Sequence, residues 1–391
     1  MNVIDAITSA APRKGMNDLH QKIDNYVYEI RMIEIDDYRY GMNRKKVDKE
    51  KAYEMIIDTP DSECNAVLSF WKGRVVDPVI SFSKSSRVEK SKSRAKALYR
   101  RAVDLDIEGM AEAGDRFACT CLGEMYEDGQ GVDQNYSTAV KWFRKAAEQG
   151  YADAQSSLGR MYENGLGVDE IESTAVELHL LAAEQGHADA QLNLGAMYKN
   201  GVDENYSTAG EWYLKAAEQG HPIAQLNLGI MYQMGLGVDK NQKLAVEWYL
   251  KAAEQGNVGA QFNLGEMYDY GWGVDQNNST AVKWYRKAAE GGSATAQLHF
   301  GEMHENGWGV DKNYSTAVEW YRKAAERGYG DARSAAHFHL GIMYENGWGV
   351  DENNAAAVEW YRKAAELGHD EAQVSIDRLT KSLRKRKNAE M

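Results

Sequence analysis

Four of the five histidines in the last third of this 391-residue chain lie within 41 residues of one another: His299, His304, His337 and His339. Imidazoles are the side chains that bind transition metals or move protons near neutral pH. Their spacing argues against both roles. His299 and His304 stand five residues apart, whereas two ligands on one helix face stand four apart. A carboxylate follows valine in each of a series of loops: Asp133, Asp169, Asp203, Asp239, Asp275, Asp311 and Asp351. These loops lack the alternating oxygen ligands of a calcium loop, so each Asp is expected to close an Asx-type turn. The same loops are rich in glycine, without the Lys-Ser or Lys-Thr of a phosphate loop. Cys64, Cys119 and Cys121 are odd in number and unsuitably spaced for a disulfide framework or a zinc site. No catalytic residue, no metal and no cofactor is expected from these patterns.

The charge pattern restricts partners further. Residues 102–377 carry 20 basic against 43 acidic side chains, while 1–101 and 378–391 are each net basic. A body this acidic repels nucleic acid and anionic lipid, and attracts a basic protein surface. No stretch of 18 apolar residues occurs, so membrane insertion is not expected. The N-terminus lacks the apolar core of a signal peptide. A cytoplasmic or nuclear monomer is expected.

The elements that would position these residues follow from self-similarity. A Leu-Gly (once Phe-Gly) dipeptide recurs with its glycine at Gly123, Gly159, Gly195, Gly229, Gly265, Gly301 and Gly341. One unit, residues 260–292, reads AQFNLGEMYDYGWGVDQNNSTAVKWYRKAAEGG. Each unit divides into two helices, A and B. In helix A of the second unit, Ala154, Leu158, Met161 and Tyr162 repeat with helical period. In helix B of the first, Ala139, Trp142, Phe143, Ala146 and Ala147 do the same. Helix A is predicted to stop at left-handed glycines: Gly129, Gly165, Gly201, Gly235, Gly271, Gly307 and Gly347. Helix B is predicted to stop likewise at Gly150, Gly186, Gly220, Gly256, Gly292, Gly328 and Gly368. Helix B is predicted to be capped by Asn135, Asn205, Asn241, Asn277, Asn313 or Asn353. The second unit has Ile171 at that position, which moves the expected cap to Ser173. The glycine inside helix A predicts close approach by the aromatic pair of helix B.

The pattern Ala-x-x-x-Leu-Gly-x-x-Tyr-x-x-Gly-x-Gly-Val, then Ala-x-x-Trp-Tyr-x-Lys-Ala-Ala-x-x-Gly, resembles the Sel1-like repeat family, a relative of the tetratricopeptide repeat. The resemblance implies an all-α fold, an α/α superhelical solenoid, and a non-enzymatic adaptor or scaffold that binds proteins or peptides through a concave face lined by A helices. Sel1-like relatives linked to β-lactam hydrolysis form an alternative, and quality-control scaffolds another; the first group is typically exported and rich in paired cysteines. Two units depart from the pattern. The third lacks the Gly-x-Gly loop, and the last carries four extra residues around GDARSAAHFHLG; both are expected to alter the superhelical pitch locally.

On the expected concave face, one row reads Cys121, Ser157, Asn193, Asn227, Asn263, His299 and His339, and the next includes Glu266 and Glu302. Asn193, Asn227 and Asn263 are suited to pairing with an extended peptide backbone, and the glutamates to a basic partner. A second candidate surface is an edge strip of Trp272, Trp308 and Trp348, which are otherwise expected to pack on the loop of the next repeat. The domain plan has an N-terminal helical extension over 1–60, a degenerate repeat over 61–115 with a polar loop at 81–94, seven repeats over 116–369, and a capping helix with basic tail over 370–391.

Overall fold

The computed structural model describes residues 66, 69–70, 92–201, 205–328 and 330–389. The expected helical extension over 1–60, most of the degenerate repeat's first half and residues 81–91 of the polar loop lie outside them. The chain divides into two compact units, Met1–Val202 and Asp203–Met391. All regular structure among the described residues is helical.

In the first unit, α1 (Lys92–Asp104) and α2 (Ile107–Glu112) precede five repeat helices: α3 (Arg116–Asp128), α4 (Tyr136–Ala147), α5 (Ala152–Glu163), α6 (Glu172–Glu184) and α7 (Ala188–Asn200). Each packs on the next. α1 already includes residues 92–94, so helix begins inside the expected loop. The degenerate repeat is folded where it is described: Ala66, Phe70, Leu98 and Tyr99 are buried, and the Phe70 and Tyr99 rings lie 5.7 Å apart. They share one core with α3, α4 and α5.

The second unit contains α8 (Tyr206–Glu218), α9 (Pro222–Met234), α10 (Gln242–Glu254), α11 (Val258–Tyr270), α12 (Asn278–Glu290), α13 (Ala294–Asn306), α14 (Tyr314–Arg327), α15 (Gly330–Asn346), α16 (Asn354–Glu366) and α17 (Asp370–Ala389). Its core is a series of clusters, each joining a B helix to the A helix that follows. Ile376 and Leu379 of α17 close the last of them, and residues 381–387 continue that helix.

Local chemistry explains these boundaries. Asn135, Asn205, Asn241, Asn277, Asn313 and Asn353 each accept a backbone N–H from the first turn of helix B. Ile171 caps α6 without a side-chain bond, and Ser173 lies inside the helix, so the expected substitute cap does not form. Gly129, Gly235, Gly271 and Gly307 end A helices in the left-handed conformation. Two glycines differ. Gly201 has φ −134°, where the Gly-x-Gly loop is missing, and Gly328 is extended because the left-handed turn has moved to Gly330. The four extra residues of the last unit are taken up by lengthening α15 to 17 residues, one more turn than its 13-residue counterparts α11 and α13.

The glycine inside helix A is explained by its neighbour. A Cβ at Gly265 would lie 2.6 Å from the Tyr285 ring, and one at Gly301 would lie 2.6 Å from Tyr321. The second loop glycines Gly167, Gly237, Gly273, Gly309 and Gly349 lie against the start of the preceding B helix. Gly309, with φ 69°, abuts the Asn278 backbone, and the Ser279 hydroxyl donates to its carbonyl at 3.2 Å.

Candidate functional site

Buried against the A-helix glycine, the helix-B tyrosines Tyr249, Tyr285, Tyr321 and Tyr361 have their hydroxyls directed at one polar residue near the end of helix A. Tyr249 donates to Gln233 at 2.5 Å, Tyr321 to Glu305 at 2.5 Å and Tyr361 to Glu345 at 2.7 Å, with Tyr285 and Asp269 at 3.5 Å. Burial pushes all four phenols well above their ordinary range, so they remain donors. At this position of helix A, a carboxylate can also pair with the next A helix. There Glu127 pairs with Arg160 at 3.1 Å, and Glu345 takes a bidentate pair from Arg378 at 2.6 and 2.8 Å. Both arginines lie 33 residues beyond their partners.

One step within the second unit departs from this arrangement. Thirty-three residues beyond Asp269 stands Glu302, a second carboxylate in place of arginine. Its compensation comes from imidazoles. His299 Nδ1 lies 2.9 Å from Glu302 Oε2, His339 Nε2 lies 3.4 Å from Glu302 Oε1, and His339 Nδ1 lies 3.2 Å from Glu305 Oε2. Both imidazoles stack on helix-B tyrosines, His299 on Tyr285 at 5.5 Å and His339 on Tyr321 at 4.8 Å. Burial works against charge on His339, yet Glu302 and Glu305 lift its pKa to about 9. Burial likewise opposes ionisation of Glu302, and the two histidines overcome it and hold the carboxyl at about 2. His299 is raised by Glu302 against the same burial penalty. Glu266 and Asp269 are left with the smaller share: burial raises both, and His299 only partly offsets it.

The structure therefore joins four residues of the expected rows, Glu266, His299, Glu302 and His339, with Asp269 and Glu305. Neither of the last two was singled out in the sequence, although the 33-residue step from Glu127 to Arg160 carried the signal. Asn227 and Asn263 occupy successive half-buried positions on α9 and α11, and Asn263 bonds the Tyr249 hydroxyl. Asn193 is half-buried on α7 of the first unit. His304 and His337 do not join the cluster: His304 packs edge-on against Phe300 at 4.8 Å, and His337 faces Trp360 at 5.5 Å. Among the described residues, no group of three or more His, Cys, Asp or Glu is placed to hold a metal ion. No described helix is long and apolar enough to cross a membrane.

The loop aspartates do not close Asx turns. In the described loops they are exposed, and the backbone N–H that such a turn would use is taken instead: Asn277 donates to the Tyr268 carbonyl, and Asn313 to that of His304, both at 2.8 Å. Trp272, Trp308 and Trp348 are 41%, 50% and 37% exposed. Trp272 stacks on Tyr270 of its own repeat, and Trp348 on Tyr314 at the start of the preceding B helix, rather than on the next loop. The helix-B tryptophans carry a lysine over their rings, as in Lys251 over Trp248 at 3.6 Å and Lys323 over Trp320 at 3.6 Å.

The Sel1 repeat family model matches residues 82–107, 117–151, 152–187, 188–221, 222–257, 258–293, 294–329 and 334–369. The chain belongs to the Sel1 repeat family, whose paired helices make it an α-solenoid of the tetratricopeptide-like kind. Among solved structures it is similar to a protective antigen of uropathogenic Escherichia coli that displays an SLR fold. The two are 35% identical with a TM-score of 0.64, over 83% of this chain and 66% of that one, so this chain spans about two thirds of that protein's length. A Sel1 repeat protein from Oxalobacter formigenes is 30% identical with a TM-score of 0.57, over 86% of this chain and 92% of that one. No curated protein matches the sequence.

Proposed function

We propose that this protein is a non-enzymatic adaptor or scaffold whose A-helix face in the second unit holds a basic segment of a protein partner. Stacked helix-pair repeats are commonly used for protein–protein interaction, because they present a row of side chains at regular spacing. The observation that carries the reading is the juxtaposition of Asp269 and Glu302 at the step where Glu127 and Glu345 each meet an arginine. An incoming guanidinium or ammonium would neutralise the charge that His299 and His339 leave uncompensated on Glu266 and Asp269, and charge-assisted bonds to half-buried carboxylates are the strong kind. Asn227 and Asn263, on the preceding A helices, add amides suited to an extended backbone. A cytoplasmic or nuclear compartment, and a monomer, belong to the same reading.

The test is fluorescence anisotropy with a labelled extended peptide rich in Arg and Lys, and its Glu-substituted counterpart. Wild-type protein is expected to bind the basic peptide selectively, and an Asp269→Asn/Glu266→Gln double variant to bind it about tenfold more weakly. Equal affinity in the two proteins, or no preference for the basic peptide, overturns the reading. The hydrolase alternative predicts nitrocefin turnover by the pure protein, and none is expected.

A further inference from the structure

The extra turn of α15 does more than absorb four residues. It carries Arg333, and it changes what stands one turn later. In the first unit the residue four before the helix-A glycine is Cys119, and in the next five it is Gln155, Gln191, Gln225, Gln261 or Gln297. Each of these glutamines donates to a backbone carbonyl eight residues earlier, at the end of the preceding B helix. In the last unit that residue is His337, and the lengthened turn gives it no such bond: its Nδ1 is buried without a hydrogen-bond partner, as is Nε of Arg333. His337 is only 6% exposed. It stands two residues from His339, about 200° around the helix, so it faces away from the carboxylate cluster.

His337 faces a cavity of about 520 Å³ among α14, α15 and α16, lined by Arg322, Arg333, Trp360 and Lys363. The exposed Glu326 and Glu366 also line it, with Ala325 and Leu367. Burial, with Arg333 and Lys363 nearby, holds His337 neutral, down at about 4. The inner wall therefore presents a guanidinium with an unsatisfied N–H and an imidazole with an unsatisfied ring nitrogen. Buried polar groups in folded proteins are overwhelmingly paired, and an unpaired donor marks the place of an absent acceptor. The Arg322 guanidinium is already bonded to the Tyr344 hydroxyl at 2.7 Å, and Lys363 lies over the Trp360 ring at 4.1 Å. Both add positive potential at the mouth. The volume falls in the range of small-molecule sites.

We propose that this cavity is a binding site for an oxyanion, a carboxylate or phosphate carried on a small organic body, with Arg333 as the principal ligand, His337 as a second contact and the Trp360 ring as an apolar wall. A guanidinium fork matches both anions in geometry. The site is separate from the A-helix face and does not depend on the reading given for that face.

The test uses the full-length protein with histidine-labelled NMR, titrated with inorganic phosphate and, separately, with acetate at constant ionic strength. A saturable movement of the His337 imidazole resonances is expected for at least one anion. Arg333→Gln is expected to weaken it about tenfold, and Arg333→Lys, which keeps the charge without the fork, to weaken it less. Tighter binding of phosphate assigns a phosphoryl ligand, and tighter binding of acetate a carboxylate. No saturable movement with either anion, or movement unchanged in a folded Arg333→Gln protein, overturns the proposal. His337→Gln, which restores the residue of five other repeats, provides a second variant read by the thermal shift that phosphate produces: a shift equal to that of wild type overturns the assignment of His337.

Discussion

His339 lies between two carboxylates, Glu302 and Glu305, with its ring flat on Tyr321. Its pKa of about 9 in the folded protein exceeds the ordinary 6.5, so its contribution to stability is complete below pH 6.5 and is lost as pH rises through about 9. Glu302 behaves in the opposite sense. With its pKa held at about 2 against 4.5, its contribution is complete above pH 4.5 and is lost as pH falls toward 2. Both contributions are whole between pH 4.5 and 6.5. Replacing His339 with Gln is expected to cost about 2 kcal/mol at pH 6 and much less above pH 9, measured by urea unfolding across that range. A pH-independent loss would assign the effect to stacking on Tyr321 instead of charge. Four of the six members were legible in the sequence, because His299, His339, Glu266 and Glu302 fall in the two rows expected on the A-helix face. Asp269 and Glu305 were not, since each looks like an ordinary solvated acid until the tyrosine hydroxyl and the next A helix are in place.

At the scale of the helix pair, the repeat works by fitting one bulky ring into one missing side chain. Gly301→Ala would place a methyl group 2.6 Å from Tyr321, which is itself buried and bonded to Glu305. A loss of about 2–3 kcal/mol is expected from this overpacking, although alanine is the better helix former. Thermal unfolding checks the sign: a rise in stability would mean that the glycine serves something other than packing. The caps are a gentler test. Asn313→Ala removes the acceptor for Thr316 N–H at 3.0 Å and is expected to cost about 1 kcal/mol, whereas Asp311→Ala, two residues earlier and exposed, should change little. The sequence pointed to the asparagines correctly and to the aspartates wrongly. Both residue types favour turns, and only the folded loop shows that the Asn313 backbone N–H is already taken by the His304 carbonyl.

For the molecule as a whole, charge is the property that a partner meets first. Residues 102–377 hold 43 acidic against 20 basic side chains, and a basic segment should be steered toward them. The association rate of the basic peptide is therefore expected to fall steeply as salt rises from about 0.05 to 0.3 M, while dissociation changes less. Stopped-flow anisotropy separates the two rates, and a salt-independent association rate would exclude steering. Because each repeat packs on its sequence neighbours, removal of one complete repeat, residues 258–293, should leave a folded helical protein of lower stability, seen by circular dichroism. Collapse of all helical signal would show a cooperativity that nearest-neighbour packing does not supply.

The sequence by itself determined the helix pairs, their caps and the ring-on-glycine contact. These depend on residues close along the chain and recur in most of the seven copies, so periodicity alone exposes them. It also singled out the two anomalous units. What the four extra residues of the last unit do was decided only by the tertiary structure. They lengthen α15 by a turn, bring Arg333 beside His337 and leave two buried polar atoms unpaired. The same holds for Asp269 and Glu302, which lie 33 residues apart and meet only because successive A helices stack. Local preference fixes where a helix starts and stops, whereas the charge a side chain faces is fixed by its neighbour in the next repeat.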